Sequence, residues 1–169
     1  AVGVGAAALS GADGAARERA AGEIPVVWAP NASLGVQVVG QLVETAVRQL
    51  GGYDIEIVEA HHRRKVDAPS GTAMFLLQSA QRARPGARAV HGREGVTGER
   101  GDEIGVHALR GGGVVGDHTV HVIGEHERVS ITHQAISRDL FAAGALAAAR
   151  FVVGRPAGRY DMASVLTAS

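Results

Sequence analysis

Cysteine is absent from this chain of 169 residues, which excludes a disulfide framework and any metal site built on thiolates. Aromatic residues make up only 4% of the sequence, although 46% of it is hydrophobic. The core is therefore expected to consist mainly of valine, isoleucine, leucine and alanine. A chain of this length can bury a substantial core of that kind.

The chain also has no excess of either charge, since 17 basic residues balance 17 acidic ones and the formal net charge is zero. This balance argues against nucleic acid as a partner. No apolar run approaches the roughly 20 residues that span a bilayer. The first residues lack the positively charged segment of a signal peptide. The sequence therefore predicts a cytoplasmic protein with neither a membrane nor a nucleic-acid partner.

The segment 59–73, EAHHRRKVDAPSGTA, carries the most distinctive chemistry of the chain. The adjacent His61 and His62 precede three basic side chains, of which Lys65 is the last. Cations that face a helix N-terminus suit a small anionic substrate, and a histidine among them can transfer a proton near neutral pH. Each of these residues alone is more typical of a solvated surface turn, so the prediction rests on their combination.

A helix is predicted after Pro69, where good helix formers follow and apolar side chains recur at spacings of three. Ser70 or Thr72 can cap it. The amides of Gly71, Thr72 and Ala73 are then expected to point outward and to attract a carboxylate. Upstream, YDIEIVEAHH alternates apolar and acidic residues, which predicts a half-buried strand that ends at the two histidines.

The remaining pattern predicts further helices and strands. A short helix over 10–21, the strand 24–29, an amphipathic helix from Ser33 and a helix over 140–153 are expected. The amphipathic helix should bury one face, consisting of Val36, Val39, Leu42, Val43 and Val47. Strands are predicted within IGVHALRGG, GDHTVHVIG and RVSITHQAI, and the glycine-rich segment before them is expected to be a long loop.

The chain has eight histidines, so a metal site has to be considered. His118 and His121 lie three residues apart in a predicted strand, where their side chains would face opposite sides. The other histidines lack the spacing of metal ligands. We therefore expect no metal site.

Taken together, these segments resemble the dihydrodipicolinate reductase family of the diaminopimelate route to lysine. EAHHRRKVDAPSGTA is similar to that family's signature, and APNASLGV, residues 29–36, resembles the hinge between its nucleotide and substrate domains. The run 110–166 resembles its carboxy-terminal stretch almost throughout. The resemblance therefore extends from about residue 24 over nearly all of the rest of the chain.

The resemblance implies roles for particular residues. His61 matches the general acid that protonates the substrate, and Lys65 matches the lysine that stabilises the substrate's negative charge. A second group matches positions that contact the substrate, namely His62, Ser70, Gly71 and Thr72. Arg110 and the glycines after it match a turn near the substrate pocket, although a plain hairpin explains them equally well. Arg138 is expected to have a structural role.

The family's architecture implies an α+β fold, with a mixed open β-sheet that binds substrate and supports oligomerisation, flanking helices, and remnants of a Rossmann-type domain at both chain ends. The implied divisions are 1–33 for the nucleotide-domain remnant and hinge, 34–138 for the substrate domain, and 139–169 for a helix and tail returning to the nucleotide domain. Most of the nucleotide-binding domain is then absent from this sequence. A homotetramer and a small dicarboxylate substrate are also implied.

The nicotinamide-binding positions match the family only in degenerate form. GAAALS, residues 5–10, aligns with the family segment Gly-Thr-Thr-Gly-Leu-Ser, and Ala32 replaces a phenylalanine. The matching positions are Gly5, Ala29, Asn31 and Ala32.

Three hypotheses remain open at this point. The first is a reductase that uses NADPH or NADH. The second is a relative that uses His61 and Lys65 for elimination, isomerisation or cyclisation without a cofactor. The third is an idle oligomerisation module, against which the intact histidine, lysine and Ser-Gly-Thr elements argue.

Overall fold

The computed structural model describes residues 2–4 and 11–168 of the chain. They form two compact units, one made of the residues up to Gln37 together with those from Ser137 onward, the other of Val38–Ile136. In chain order the elements are β1 Val2–Val4, α1 Gly11–Glu23, β2 Pro25–Ala29, α2 Leu34–Gln49, β3 Asp54–His61, α3 Gly71–Ala83, β4 Arg88–Val90, β5 Glu103–Arg110, β6 Asp117–Ile123, β7 Arg128–Gln134, α4 Asp139–Phe151, β8 Gly158–Tyr160 and α5 Met162–Thr167.

The first unit contains a three-stranded parallel sheet in the order β1-β2-β8. Its core is a small apolar cluster that includes Val27 from β2, Ala148 from α4 and Met162 from α5. The side chain of Asp161 caps α5 by accepting a hydrogen bond from the Ser164 amide at 2.8 Å. The sequence pattern did not predict β8 or α5, because three and six residues are too few to establish a period.

The second unit is built on a five-stranded mixed sheet in the order β4-β5-β3-β6-β7. The central strand β3 pairs in parallel with β5 and antiparallel with β6. Ile55 and Ile57 of β3 are fully buried, as their alternation with acidic residues predicted. The expected α+β class with an open mixed sheet and flanking helices is confirmed.

Helix α2 follows the predicted capping, because the Ser33 hydroxyl accepts a hydrogen bond from the Val36 amide at 3.2 Å. Val39, Val43 and Val47 are buried in the core of the second unit. The prediction that Leu42 shares this face was wrong, since Leu42 is 51% exposed. At 3.6 residues per turn it lies about 100° from the centre of the valine stripe, beyond its edge.

The glycine-rich segment between α3 and β5 is a loop that contains only the short strand β4. Two arginines, Arg93 and Arg100, fix it to the carboxylate of Glu56 at 2.9 and 3.3 Å. Glu56 lies across Gly105, where an added Cβ would come within 1.8 Å of the Glu56 carboxylate oxygen. A glycine is therefore required at this point of β5 for the ion-pair cluster to form.

Candidate active site

The residues with distinctive chemistry meet at one edge of the five-stranded sheet. The parallel strands β3 and β5 end there side by side, with His61 opposite Arg110 in the register. Helix α3 begins at the same edge, because the amide of its N-cap Ser70 donates to the carboxylate of Glu59 at 2.9 Å. This arrangement positions the histidine at the strand end beside the start of the helix.

Glu59 is the centre of this edge and is completely buried. Arg110 binds both of its carboxylate oxygens at 2.7 Å, and His61 Nδ1 lies 2.6 Å from one of them. Burial opposes ionisation of Glu59, but the hydrogen bonds from Arg110, His61 and Ser70 outweigh it and hold the pKa of Glu59 below its usual range. Glu59 is therefore an ionised carboxylate that accepts four hydrogen bonds.

His61 is held by its Nδ1 nitrogen, while the Nε2 side of the ring lies next to Gly116. A Cβ added to Gly116 would come within 3.0 Å of His61 Nε2. A glycine at this position therefore leaves space beside the nitrogen that does not contact Glu59. The ring of His118 packs edge-on against His61, with centroids 5.1 Å apart.

His118 is a second histidine of the site, and its environment differs from that of His61. Its Nε2 lies 3.0 Å from the hydroxyl of Ser70, and the residue is only 4% exposed. Burial, together with the neighbouring His61, lowers the pKa of His118 from 6.5 to about 4. His118 is therefore neutral at physiological pH and packs against His61 without competing for a proton.

Ser70 is the N-cap of α3, and its hydroxyl accepts a hydrogen bond from the Ala73 amide at 3.1 Å. The expectation that the Ala73 amide is open to an anion was therefore wrong. Ser70 is 2% exposed, with its hydroxyl already shared between the Ala73 amide and His118. Substrate contact by Ser70 stays a prediction, and an anion at the helix start would rely mainly on Gly71 and Thr72.

Lys65 is tied to the same edge through Asp67. Its ammonium group contacts both carboxylate oxygens of Asp67, at 2.8 and 2.9 Å. The backbone carbonyl of Asp67 in turn accepts a hydrogen bond from Arg110 at 2.7 Å. The hydrogen bond from Lys65 also holds the pKa of Asp67 below its usual range. A chain of contacts thus runs from Lys65 through Asp67, Arg110 and Glu59 to His61.

His62, the remaining residue of the predicted substrate contacts, follows the last residue of β3 and is half-buried. The carbonyl of His62 accepts a hydrogen bond from the Lys65 amide at 3.0 Å, which closes a tight turn between the two residues. This turn fixes how far Lys65 lies from the strand end.

The predicted nicotinamide contacts lie in the first unit. Ala29, Asn31 and Ala32 are buried, at 2%, 7% and 1% exposure. The side-chain oxygen of Asn31 accepts a hydrogen bond from the Ser33 amide at 2.7 Å, just before α2. Gly5 lies outside the described residues. Contact of these residues with a cofactor stays a prediction.

Sequence reasoning missed Glu59 and gave Arg110 only a place near the pocket. The signal for Glu59 was present in the alternation of β3, where positions 55, 57, 59 and 61 share one face. A glutamate at a position of that face has to be paired once it is buried. Arg110, its partner, lies 51 residues away in sequence, so no local pattern connects the two.

Within residues 2–4 and 11–168, no group of three or more histidine, aspartate or glutamate side chains is arranged to hold a metal ion. Among the helices of this part of the chain, none combines the length and apolar character that crossing a membrane requires.

The fold and the site define an α+β domain with a histidine, a lysine and a helix start gathered at one edge of a mixed sheet. Residues 35–166 match the family described as dihydrodipicolinate reductase, C-terminus. The chain belongs to the dihydrodipicolinate reductase family.

Curated relatives cover nearly all of the chain. The 4-hydroxy-tetrahydrodipicolinate reductase of Thiobacillus denitrificans is 55% identical over 165 residues, which is 93% of this chain and 62% of the relative. The reductase of Alkalilimnicola ehrlichii is 53% identical over 170 residues, 96% of this chain and 63% of the relative. This chain thus spans less than two thirds of the length of these relatives.

A solved structure has the same fold. The dipicolinate-bound dihydrodipicolinate reductase from Paenisporosarcina sp. TG-14 superposes with a TM-score of 0.71 at 24% sequence identity. The match covers 95% of this chain and 62% of that one.

Proposed function

We propose that this chain is the substrate-binding part of a 4-hydroxy-tetrahydrodipicolinate reductase, an oxidoreductase of diaminopimelate and lysine biosynthesis. Its substrate is a small cyclic dicarboxylate, and the protein works in the cytoplasm as a homotetramer. The observation that carries the proposal is the chain of contacts joining Lys65, Arg110, Glu59 and His61 beside the start of α3. The relatives' shared activity supports the same reading.

The chemistry of the edge suits a dicarboxylate. Gly71 and Thr72 begin α3, where backbone amides and the helix dipole favour an anion. Lys65 supplies a charged donor for the developing negative charge, after exchanging its contact with Asp67 for the substrate. His61, when protonated on both nitrogens, donates the proton on Nε2 to the substrate atom that gains negative charge as the neighbouring carbon accepts hydride. A reduced nicotinamide, when bound, supplies that hydride.

The described residues contribute the acid and the anion site to this reaction. The predicted contacts Ala29, Asn31 and Ala32 are buried in the first unit, so no step of the mechanism is assigned to them. The same observation favours a second candidate function, in which His61 and Lys65 catalyse elimination, isomerisation or cyclisation without a nucleotide. The two candidates share a substrate class and differ in their need for a cofactor.

Calorimetric titration of the purified chain separates the two candidates. Pyridine-2,6-dicarboxylate should bind in both cases, and pyridine-3,5-dicarboxylate is the matched control of equal charge and different geometry. Binding of NADPH or NADH, strengthened by the dicarboxylate, supports the reductase. Dicarboxylate binding without nucleotide binding supports the second candidate for this chain. If the 2,6-isomer fails to bind at millimolar concentration, neither function stands.

A further inference from the structure

The interior of the site contains a charged pair that the proposed reaction does not use directly. Glu59 and Arg110 form a two-pronged ion pair at 2.7 Å for both contacts, with the Glu59 side chain fully inaccessible to solvent. A buried ion pair is weak evidence for stability, because desolvation cancels much of its attraction. The contact of Glu59 with His61 Nδ1 points to a role in the chemistry of that ring.

We infer that Glu59 is a positioning residue that holds His61 with its proton on Nδ1 and directs Nε2 to the substrate, while Arg110 keeps Glu59 ionised. This inference rests on the proposed function of His61 as the acid. An ionised carboxylate has no proton to donate, so the 2.6 Å contact requires an N–H on Nδ1. Neutral His61 is thereby confined to one tautomer, with its free electron pair on Nε2.

The contact with Glu59 also fixes the direction of the His61 ring. Other groups around the ring act differently. Neutral His118 packs edge-on and supplies no counter-charge, and the ammonium of Lys65 is engaged with Asp67. Arg110 is separated from His61 by the carboxylate that both of them contact. Glu59 is therefore the anion that selects the tautomer of neutral His61 and the direction of its ring.

Gly116 supports this assignment from the other side of the ring. A side chain there would come within 3.0 Å of Nε2, the nitrogen that the Glu59 contact leaves available. One edge of the imidazole is thus held and the opposite edge is kept clear. A histidine with only a structural role would need the first of these features and not the second.

The chain offers a matched control on the opposite face of the same strand. Glu56, three residues earlier on β3, contacts His107 Nε2 at 2.7 Å and is also bound by arginines. The Glu56–His107 pair has the same chemical partners as Glu59–His61, but it lies on the face away from α3. Replacing Glu56 tests the loss of a glutamate–histidine–arginine cluster without touching the site.

The test is a measurement of imidazole ¹⁵N shifts in the histidine-labelled chain, with His61 assigned by the His61→Asn variant. Neutral His61 should carry its proton on Nδ1. Glu59→Gln should redistribute it between the two nitrogens, Glu59→Asp should partly restore the original tautomer, and Glu56→Gln should leave it unchanged. A neutral His61 protonated on Nε2 in the unaltered chain overturns the inference, and this result needs no variant to fold.

Dicarboxylate titration of the same samples tests the proposed function separately from the role of Glu59. Glu59→Gln should bind pyridine-2,6-dicarboxylate within about threefold of the unaltered chain, because the anion contacts on Lys65 and α3 remain. Turnover, measured where nucleotide binding is found, should fall at least about 100-fold, the scale of losing a general acid. Unchanged turnover in a folded Glu59→Gln variant contradicts the inference. Failure of the unaltered chain to bind dicarboxylate contradicts the proposed function while leaving the tautomer result intact.

Discussion

At the scale of single residues, two histidines in contact have different hydrogen-bond partners. His61 contacts the ionised Glu59, whereas His118 is buried beside Ser70, and burial lowers the pKa of His118 to about 4. An ionised carboxylate accepts a hydrogen bond only, whereas a serine hydroxyl both donates and accepts. The Glu59 carboxylate beside His61 and the Ser70 hydroxyl beside His118 therefore give the two rings different partners.

Replacing Lys65 by alanine should weaken binding of pyridine-2,6-dicarboxylate. The loss of one charge-assisted hydrogen bond costs about 1.5–3 kcal/mol, or roughly 10- to 150-fold in affinity. Calorimetry measures the change. Arg64→Ala is the matched control, since it removes the same charge from an exposed neighbouring position and should change the affinity by less than about threefold. Equal losses in the two variants would contradict a specific role for Lys65.

The lowered pKa of His118 predicts how the stability of the fold depends on pH. Its pKa falls from 6.5 to about 4 on folding, chiefly through burial, so between these values the unfolded chain binds a proton that the folded chain does not. Stability is therefore fully present above pH 6.5 and is lost as the pH falls towards 4. The loss from this residue is at most about 3.5 kcal/mol.

Urea unfolding at a series of pH values checks this expectation. His118→Gln should reduce the slope of unfolding free energy against pH between 6.5 and 4. His126→Gln is the control, because His126 has a side chain 94% exposed and should leave the slope unchanged. If both variants keep the full slope, the buried neutral state of His118 is refuted.

At the scale of elements, the start of α3 joins the helix to the sheet. Ser70 donates its amide to Glu59, caps the Ala73 amide and contacts His118 through its hydroxyl. The Ser70 side chain thus hydrogen-bonds to groups on α3 and β6, and its backbone amide hydrogen-bonds to Glu59 of β3. The position of the helix start relative to His61 depends on this residue.

Ser70→Ala should destabilise the chain by about 1–3 kcal/mol, since it removes a helix cap and leaves His118 without its hydroxyl partner. Chemical denaturation measures the change. Ser130→Ala is a matched control, because Ser130 also contacts a histidine, His121 at 2.8 Å, but on an exposed strand. The control should cost less than about 0.5 kcal/mol. A Ser70 variant as stable as the control would contradict the role of the cap.

Local patterns predicted most elements and part of the site. The alternation of β3 and the helix formers after Pro69 are short-range signals, and both predictions were confirmed. Leu42 was wrongly placed in the core because it lies at the edge of a valine stripe, where a residue count alone does not decide burial. The pairing of Glu59 with Arg110 was not predicted, because it depends on which strands lie side by side.

At the scale of the whole molecule, the face of the five-stranded sheet opposite α3 carries the Glu56 ion-pair cluster together with apolar and hydroxyl side chains. Leu109 on β5 is 56% exposed there, and Thr119 and Thr132 pair across β6 and β7 at 3.1 Å. This face is the one through which we propose that four copies associate.

Sedimentation velocity tests that association. The unaltered chain should sediment as a tetramer at micromolar concentration, and Leu109→Lys should yield smaller species because it places a charge in an apolar contact. Val66→Lys, at an equally apolar but 98% exposed position in the loop before α3, is the control and should stay tetrameric. A monomeric unaltered chain at this concentration would refute the proposal.

The central claim is that a dicarboxylate binds where β3 ends and α3 begins, and an amide shift map with pyridine-2,6-dicarboxylate tests it most directly. The account predicts that the largest ¹H–¹⁵N shift changes fall on Gly71 and Thr72, with smaller ones at Lys65. The Ala73 amide, already bound by Ser70, should respond less. Shift changes confined to other parts of the chain, or none at saturating ligand, would contradict the account.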